Sequence, residues 1–339
     1  MSQSTGFFED FNRLNVLIAG DVMIDRYISG KVNRISPEAP VPVVQMEEAE
    51  DRLGGAANVA LNIKAMGATP FLCSVTGDDE NGNTLQQLLP QNGISPDFIL
   101  RSPERVTTTK TRIIAQNQHL LRVDKEDKHD LTEQEADAFL AKVRGVLDAN
   151  PIHVILFQDY NKGVLSATVI GAVIREALDR GIPTAVDPKF HNFWAYRQVS
   201  LFKPNLREIQ NQLQDPVRPT LASLNAAAAQ IRVKLGNRAS MITLSEKGIF
   251  VDEDGKSEVF GARPRQIADV CGAGDTVISV AALGLGLGMR MSEIAVLANM
   301  AGGQVCEKVG VVPVDKAELE REYLGFLDAA GEDDDLLVR

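Results

Sequence analysis

Val154–Ile155–Leu156–Phe157 is an unbroken apolar run between helix-periodic stretches at 131–147 and 167–179. A run that short and wholly apolar reads as a strand buried on both faces, as in a parallel sheet covered by helices. The alternation continues with strands at 184–186 and 201–202, helices at 206–213 and 221–235, and a strand at 240–243. Upstream, Asn15–Val16–Leu17–Ile18–Ala19 is a similar strand that ends in Gly20–Asp21. Open α/β sheets hold ligands at that C-terminal edge. A helix at 55–66 stopped by Gly67, a strand at 71–75 and a helix at 81–89 stopped by Pro90 and Gly93 follow.

Segment 27–46 carries Pro37, Pro40 and Pro42 and is too proline-broken for a helix. With the β-branched segment 106–123 it predicts a small sheet outside the main one. The expected fold is α/β: one domain over 1–330 with a central, mostly parallel sheet, helices on both faces and a β-flap. An acidic tail at 331–339 is expected to be solvated and frayed.

The 339-residue chain has 44% hydrophobic and 24% charged residues, which excludes global disorder, collagen and coiled coil. With 35 Lys and Arg against 46 Asp and Glu, the net charge of −11 argues against nucleic acid and membrane surfaces as partners. It does not exclude a small anionic substrate, which needs only a few local cations. No apolar run reaches the roughly 18 residues of a membrane span, and the start lacks a basic-then-apolar signal pattern. Cys73, Cys271 and Cys306 show no CxxC spacing, which fits a reduced cytoplasm. His119, His129, His153 and His191 form neither HExxH nor HxGH. Gly255–Lys256–Ser257 lacks the earlier glycine of a P-loop, and Gly284, Gly286 and Gly288 lie inside an apolar helix.

Three motifs carry chemistry. Asp269–Val270–Cys271–Gly272–Ala273–Gly274–Asp275–Thr276 precedes an apolar helix. Its small residues leave backbone N–H groups uncovered at a helix N-terminus, a hole for phosphate or transferring phosphoryl charge. Asp275 at its mouth is placed to take a proton from an attacking hydroxyl, or is simply an N-cap. Gly54–Gly55–Ala56–Ala57–Asn58 allows close backbone approach to a ligand, with Asn58 as donor and acceptor, or is only a glycine-rich helix start. Lys203–Pro204–Asn205–Leu206–Arg207–Glu208 sets Asn205 and Glu208 three apart. Spacing favours a capping box; the other reading is a pair that holds waters around Mg²⁺.

In this order, the glycine pair with Asn58, the Asn205–Glu208 pair and the late Asp269–Asp275 motif resemble the ribokinase-like (PfkB-type) carbohydrate kinase family over nearly the whole chain. Within it, Ile35–Ser36–Pro37–Glu38–Ala39–Pro40–Val41–Pro42–Val43, Thr107–Thr108–Thr109–Lys110–Thr111–Arg112 and Asp159–Tyr160–x–Lys162–Gly163 look like the branch acting on D-glycero-β-D-manno-heptose 7-phosphate. That branch serves ADP-heptose and lipopolysaccharide core synthesis, and some members carry an adenylyltransferase domain with HxGH behind the kinase. The expectation here is the kinase alone.

The resemblance implies ATP and Mg²⁺ as cofactors and a sugar phosphate as substrate. It makes Asp275 the general base and Gly272, Ala273 and Gly274 the anion hole. Asn205 and Glu208 would organise Mg²⁺ and the ATP phosphates, Glu208 reaching the metal through water. Thr243, Ser245 and Gly248 would lie beside ATP, with Ser245 where many relatives have Gly, and Asn299 would lie near the adenine. Asp21, Gly54, Gly55 and Asn58 would bind the sugar. For the distal phosphate the candidates are Arg34 and Arg112 on the lid, Lys162 and Lys189, with Asp187 contacting sugar hydroxyls or shaping the pocket. The flap would be a β-lid that also makes a homodimer interface. Rival readings are a kinase of the same family for another sugar or a nucleoside, a non-catalytic sugar-phosphate-binding regulator and, more distantly, a dinucleotide oxidoreductase.

Overall fold

The computed structural model describes residues 6–116 and 118–332. The acidic run expected at the C-terminus lies outside them from residue 333 on.

The strands are β1 (Asn15–Gly20), β2 (Val22–Ile35), β3 (Pro42–Gly55), β4 (Thr69–Gly77), β5 (Ile99–Ser102), β6 (Thr109–Ala115), β7 (Gln118–Lys125), β8 (Val154–Gln158), β9 (Thr184–Asp187), β10 (Leu201–Phe202), β11 (Ala239–Thr243), β12 (Ile249–Glu253) and β13 (Lys256–Phe260). The helices are α1 (Gly6–Asp10), α2 (Ala56–Ala65), α3 (Glu80–Gln91), α4 (Glu133–Ala149), α5 (Ala167–Asp179), α6 (Leu206–Gln212), α7 (Leu221–Leu235), α8 (Ala273–Gly286), α9 (Met291–Cys306) and α10 (Lys316–Glu332).

Nine strands form the main sheet in the order β13-β12-β11-β10-β9-β8-β1-β4-β5. From β5 to β11 every pair is parallel; β12 and β13 add an antiparallel edge. Side chains alternate between two cores, because successive residues of a strand point to opposite faces. Val16, Ile18, Val154 and Leu156 pack with α2, α8 and α9; Leu17, Ala19, Ile155 and Phe157 pack with α4, α5 and α7. Continuous apolar runs are the sequence signature of that double burial.

The flap is larger than 27–46 and 106–123. It is a four-stranded sheet ordered β3-β2-β6-β7, and β2 and β3 pair from Val22↔Gly55 out to Ile35↔Pro42. Pro42 opens a strand, where its missing N–H is harmless, while Pro37 and Pro40 sit in the connecting turn. Pro90 lies within the last turn of α3 instead of stopping it, and its carbonyl accepts from Gly93 N at 2.8 Å.

The chain runs from β1 outward to β4 and β5, then returns to place β8 on the other side of β1. The order therefore reverses between β1 and β8, and the crevice beyond their C-terminal ends is where such a sheet takes a ligand. Gly20 pairs with Gln158 there, and a Cβ on Gly20 would lie 2.2 Å from the Gln158 carbonyl oxygen. Gly20→Ala is expected to push β1 off β8 and destabilise by about 1–3 kcal/mol, the usual range for overpacking, read as a lower denaturant midpoint.

Candidate active site

The C-terminal ends of β1, β8, β9 and β10 deliver Asp21, Gln158–Asp159–Tyr160, Asp187 and Lys203 to one edge. α8 starts against them. Gly272 caps it at φ +80°, a left-handed conformation that favours glycine, and no side chain caps the helix. First-turn N–H groups have no acceptor within their helix, so this end is left with uncompensated positive dipole. Gly272, Ala273, Gly274 and Asp275 all border a cavity of about 1400 Å³.

Asp275 is buried and accepts three hydrogen bonds. Asn58 Nδ2 donates to Oδ2 at 2.8 Å, Gln158 Nε2 to Oδ1 at 3.0 Å, and the Tyr160 hydroxyl to Oδ1 at 2.7 Å. Burial pushes the Asp275 carboxyl up to about 6, against the pull of Asn58 and Tyr160. Burial and the Asp275 charge hold the Tyr160 phenol far above its ordinary value, so it remains a donor. Asn58 is fixed in turn by Asn62, whose Nδ2 donates to Asn58 O at 3.0 Å and whose Oδ1 accepts from Thr276 and Val314. Asn58 thus positions the carboxylate of Asp275.

Asp21 is engaged within the protein. Its carboxylate accepts the main-chain N–H groups of Tyr160, Lys162 and Val164 at 2.8–3.1 Å, so it ties the loop after β8 to the end of β1. Burial pushes it up against those three bonds. Asp159 behind it is pushed up to about 6 by burial and by the Asp21 charge, and is held by the Tyr196 hydroxyl at 2.8 Å. Gly54 and Gly55 stand where no side chain fits. A Cβ on Gly54 would lie 2.3 Å from Asp25 Oδ2, and one on Gly55 2.4 Å from Asp21 O.

Along the cavity runs an ionic ladder. Lys203 Nζ meets Asp187 Oδ2 at 3.2 Å; Lys189 Nζ meets Asp187 Oδ1 at 3.2 Å and Glu208 Oε1 at 2.8 Å. Despite burial, Lys189 and Lys203 hold Asp187 below the usual carboxylate range. A Cβ on Gly274 would sit 3.7 Å from Asp187 Oδ2 and 3.9 Å from Lys203 Nζ, so the ladder stands beside the α8 terminus. Lys189, expected at the distal phosphate, and Asp187, expected on sugar hydroxyls or the pocket wall, thus lie on the side of the α8 terminus. The Asn205–Glu208 capping box is formed, with Glu208 N donating to Asn205 Oδ1 and Asn205 N to Glu208 Oε2, both at 2.8 Å. The cap turns the other Glu208 oxygen to Lys189; Asn205 and Lys189 line the cavity, and Glu208 stands behind them.

Thr243, Ser245, Gly248 and Asn299 border the same cavity. Thr243 bridges to Asn205. Ser245 has φ +56°, the left-handed region, the physical reason a glycine suits that position. Asn299 Nδ2 donates to Gly261 O at 2.9 Å and fastens the loop after β13. Arg34 does not reach the site: it is exposed near the tip of the lid, nine residues and so about 30 Å along an extended strand from Asp25. Arg112 is paired with Asp25 at 2.5 Å and Lys162 with Glu126 at 2.6 Å.

Gln158, Tyr160, Lys203, Asp25 and Lys110 were not singled out from the sequence. Tyr160, Lys203 and Lys110 sat inside motifs that had drawn notice. Gln158 was legible only as the residue ending a parallel strand.

The cavity suits a nucleotide. It is larger than a typical small-ligand pocket of roughly 300–1,000 Å³ and joins an uncapped helix terminus and two lysines to apolar walls at Val296 and Met300. Among the described residues no three carboxylate, His or Cys side chains converge as a metal cage.

Residues 13–317 match the family described as pfkB family carbohydrate kinase. The chain belongs to that family. It is an ATP-dependent sugar kinase, with ATP and Mg²⁺ as its cofactors. The pfkB match is joined by relatives named bifunctional protein HldE. The one from Methylobacillus flagellatus is 40% identical over 329 residues, covering 96% of this chain and 67% of that protein. The one from Chromohalobacter salexigens is 42% identical over 305 residues, covering 90% and 62%. The chain thus spans about two thirds of the length of these relatives. Solved structures with the same fold include Escherichia coli phosphofructokinase-2 in complex with potassium, at TM-score 0.77 and 16% identity over 93% of this chain and 99% of that one. Arabidopsis thaliana ribokinase complexed with ribose and ATP gives 0.69 and 16% over 91% and 98%. No helix among the described residues is long and apolar enough to cross a membrane.

Asp21→Asn leaves at least one of the three loop N–H groups facing an amide NH₂. The expected cost is about 1–3 kcal/mol, the range for a buried unsatisfied donor, seen as a lower denaturant midpoint at unchanged slope.

Proposed function

We propose that this chain phosphorylates the C1 hydroxyl of D-glycero-β-D-manno-heptose 7-phosphate to the 1,7-bisphosphate, as a step in ADP-heptose and lipopolysaccharide core synthesis. The observation that carries the chemistry is Asp275, buried and hydrogen-bonded at the uncapped N-terminus of α8. The heptose assignment rests on the resemblance of segments 35–43, 107–112 and 159–163 to kinases of that sugar phosphate, and the HldE similarity over 96% of the chain supports it.

ATP would supply the phosphoryl group, and Mg²⁺, its waters held by Asn205 and Glu208, would supply positive charge against the phosphates. The protein's part is positioning and charge stabilisation. Ionised Asp275 takes the proton of the attacking hydroxyl. Asn58, Gln158 and Tyr160 aim its carboxylate. The first-turn N–H groups of α8 meet charge on the transferring group, with Lys203 and Lys189 beside them. Glu208 and Asn205 order the wall where metal-bound waters would stand. The lid excludes water, which competes as acceptor.

The lid also offers a dimer surface. Register puts Ile28, Ile113, Leu121 and Val123 on its outer face, with Leu121 56% and Val123 50% exposed. We propose that a second copy of this chain covers it. Leu121→Asp is expected to convert a dimer to a monomer in sedimentation; a wild-type monomer at micromolar concentration refutes the interface.

ADP release with a panel of sugars tests the substrate. Selectivity for the heptose 7-phosphate supports the reading; turnover only with another sugar removes it. Asp275→Asn is expected to lower kcat by about 10²–10⁴, the usual worth of a general base. Since the base works ionised and its carboxyl sits near about 6, wild-type kcat/KM should rise with pH through that value and level off above it. A flat profile between pH 5 and 8 would take Asp275 out of the role.

A further inference from the structure

The inner face of the lid carries one cation more than its carboxylates can neutralise. Cross-strand register pairs Arg52 with Asp25, Glu50 with Tyr27, Asp25 with Lys110, Tyr27 with Arg112, Lys110 with Asp124, and Arg112 with Arg122. Directly opposed residues share a face, so these eight side chains occupy one side of the sheet. That side faces the catalytic end of the main domain, because Lys110 Nζ stands 5.3 Å from the ring centre of Tyr160, whose hydroxyl holds Asp275.

Every arginine on the face has its own carboxylate. Arg52 is bidentate to Glu50 at 2.8 and 2.7 Å, Arg122 is bidentate to Asp124 at 2.9 and 3.0 Å, and Arg112 holds Asp25 at 2.5 Å. Both carboxylates flanking Lys110 in register, Asp25 and Asp124, are therefore already taken. Among the described residues Lys110 makes no ion pair. The neighbouring cations are committed as well, Lys162 to Glu126 and Lys189 to Asp187 and Glu208. Burial holds the Lys110 ammonium below the usual lysine range despite Asp25, and the like charges of Lys162 and Arg122 push the same way. A partly desolvated ammonium without a counter-ion is unfavourable, and no described residue pairs with this one.

We propose that Lys110 binds the anionic group of the sugar substrate and so sets the preference for a phosphorylated over an unphosphorylated sugar. The inference rests on the reading of this site as that of a sugar-phosphate kinase. Asp275 then holds the acceptor hydroxyl and Lys110 the phosphate, two ends of one short ligand spanning the gap between domain and lid. Because Lys110 lies on the lid, an anionic substrate also draws the lid onto the site, which a neutral sugar does less well.

The test compares kcat/KM by ADP release for wild type, Lys110→Met and Lys110→Arg on two matched pairs: heptose 7-phosphate with the free heptose, and fructose 6-phosphate with fructose. The ratio for phosphorylated over unphosphorylated sugar is expected to fall about 10–100-fold in Lys110→Met, the worth of a charged hydrogen bond, mainly through KM, and to be largely retained in Lys110→Arg. Calorimetric binding of the same sugars reads the ratio without turnover, and Lys110→Gln replaces the Met variant should that fail to fold. An unchanged ratio in the variants, or no preference for phosphorylated sugars in wild type, overturns the inference. A preference confined to the fructose pair removes the heptose assignment alone, and Lys110 is then judged by the same ratio on that pair.

Discussion

A carboxylate taken out of water must be given hydrogen-bond donors, and the site is built around meeting that demand for Asp275. Its donors arrive from α2 through Asn58 and from the end of β8 through Gln158 and Tyr160, while the carboxylate itself comes from the first turn of α8. Elements more than a hundred residues apart must therefore dock in one register before the charge is tolerated. The bonds do not fully offset burial, and the carboxyl remains near about 6, basic enough to accept a proton and still ionised at neutral pH.

The same demand organises the next layer. Asp21 spends its carboxylate on three N–H groups of the loop that presents Tyr160, and Asp159 is held from behind by Tyr196. Asp187 is flanked by two lysines, one of which reaches Glu208. These pairs cost desolvation, so their contribution to stability is small, but each fixes a side chain on the cavity wall. The lid follows the opposite rule at one position, since the arginines of its inner face are neutralised within the sheet and Lys110 is not.

The fold was legible because its strands are apolar without interruption and its helices periodic; β8, α5 and α7 fell within a residue of their expected limits. The lid was legible in kind and not in extent. Nothing in 22–26 or 47–55 distinguishes a strand that leaves the main domain from one that stays in it. The site motifs at Gly54–Asn58, Asn205–Glu208 and Asp269–Asp275 were visible because glycine at a helix start and a polar pair at i, i+3 are local events. The partners of those residues were not visible. Asn58 is 217 positions from Asp275, and an asparagine that braces a carboxylate reads the same in sequence as one that reads a sugar.

The sequence by itself determined the α/β class, the glycine-rich start of α8 and the candidate base, since each depends on spacing within a few residues; that no side chain caps α8 came from the structure. Only the tertiary structure decided which charges are free. Asp21, Arg112, Lys162 and Lys189 all carry the right chemistry for a ligand, and all four are bound by groups between 2 and 143 positions away. Pairing is settled by distance in space, through register across the lid and strand order across the main sheet, and strand order is not written in any local stretch of the chain.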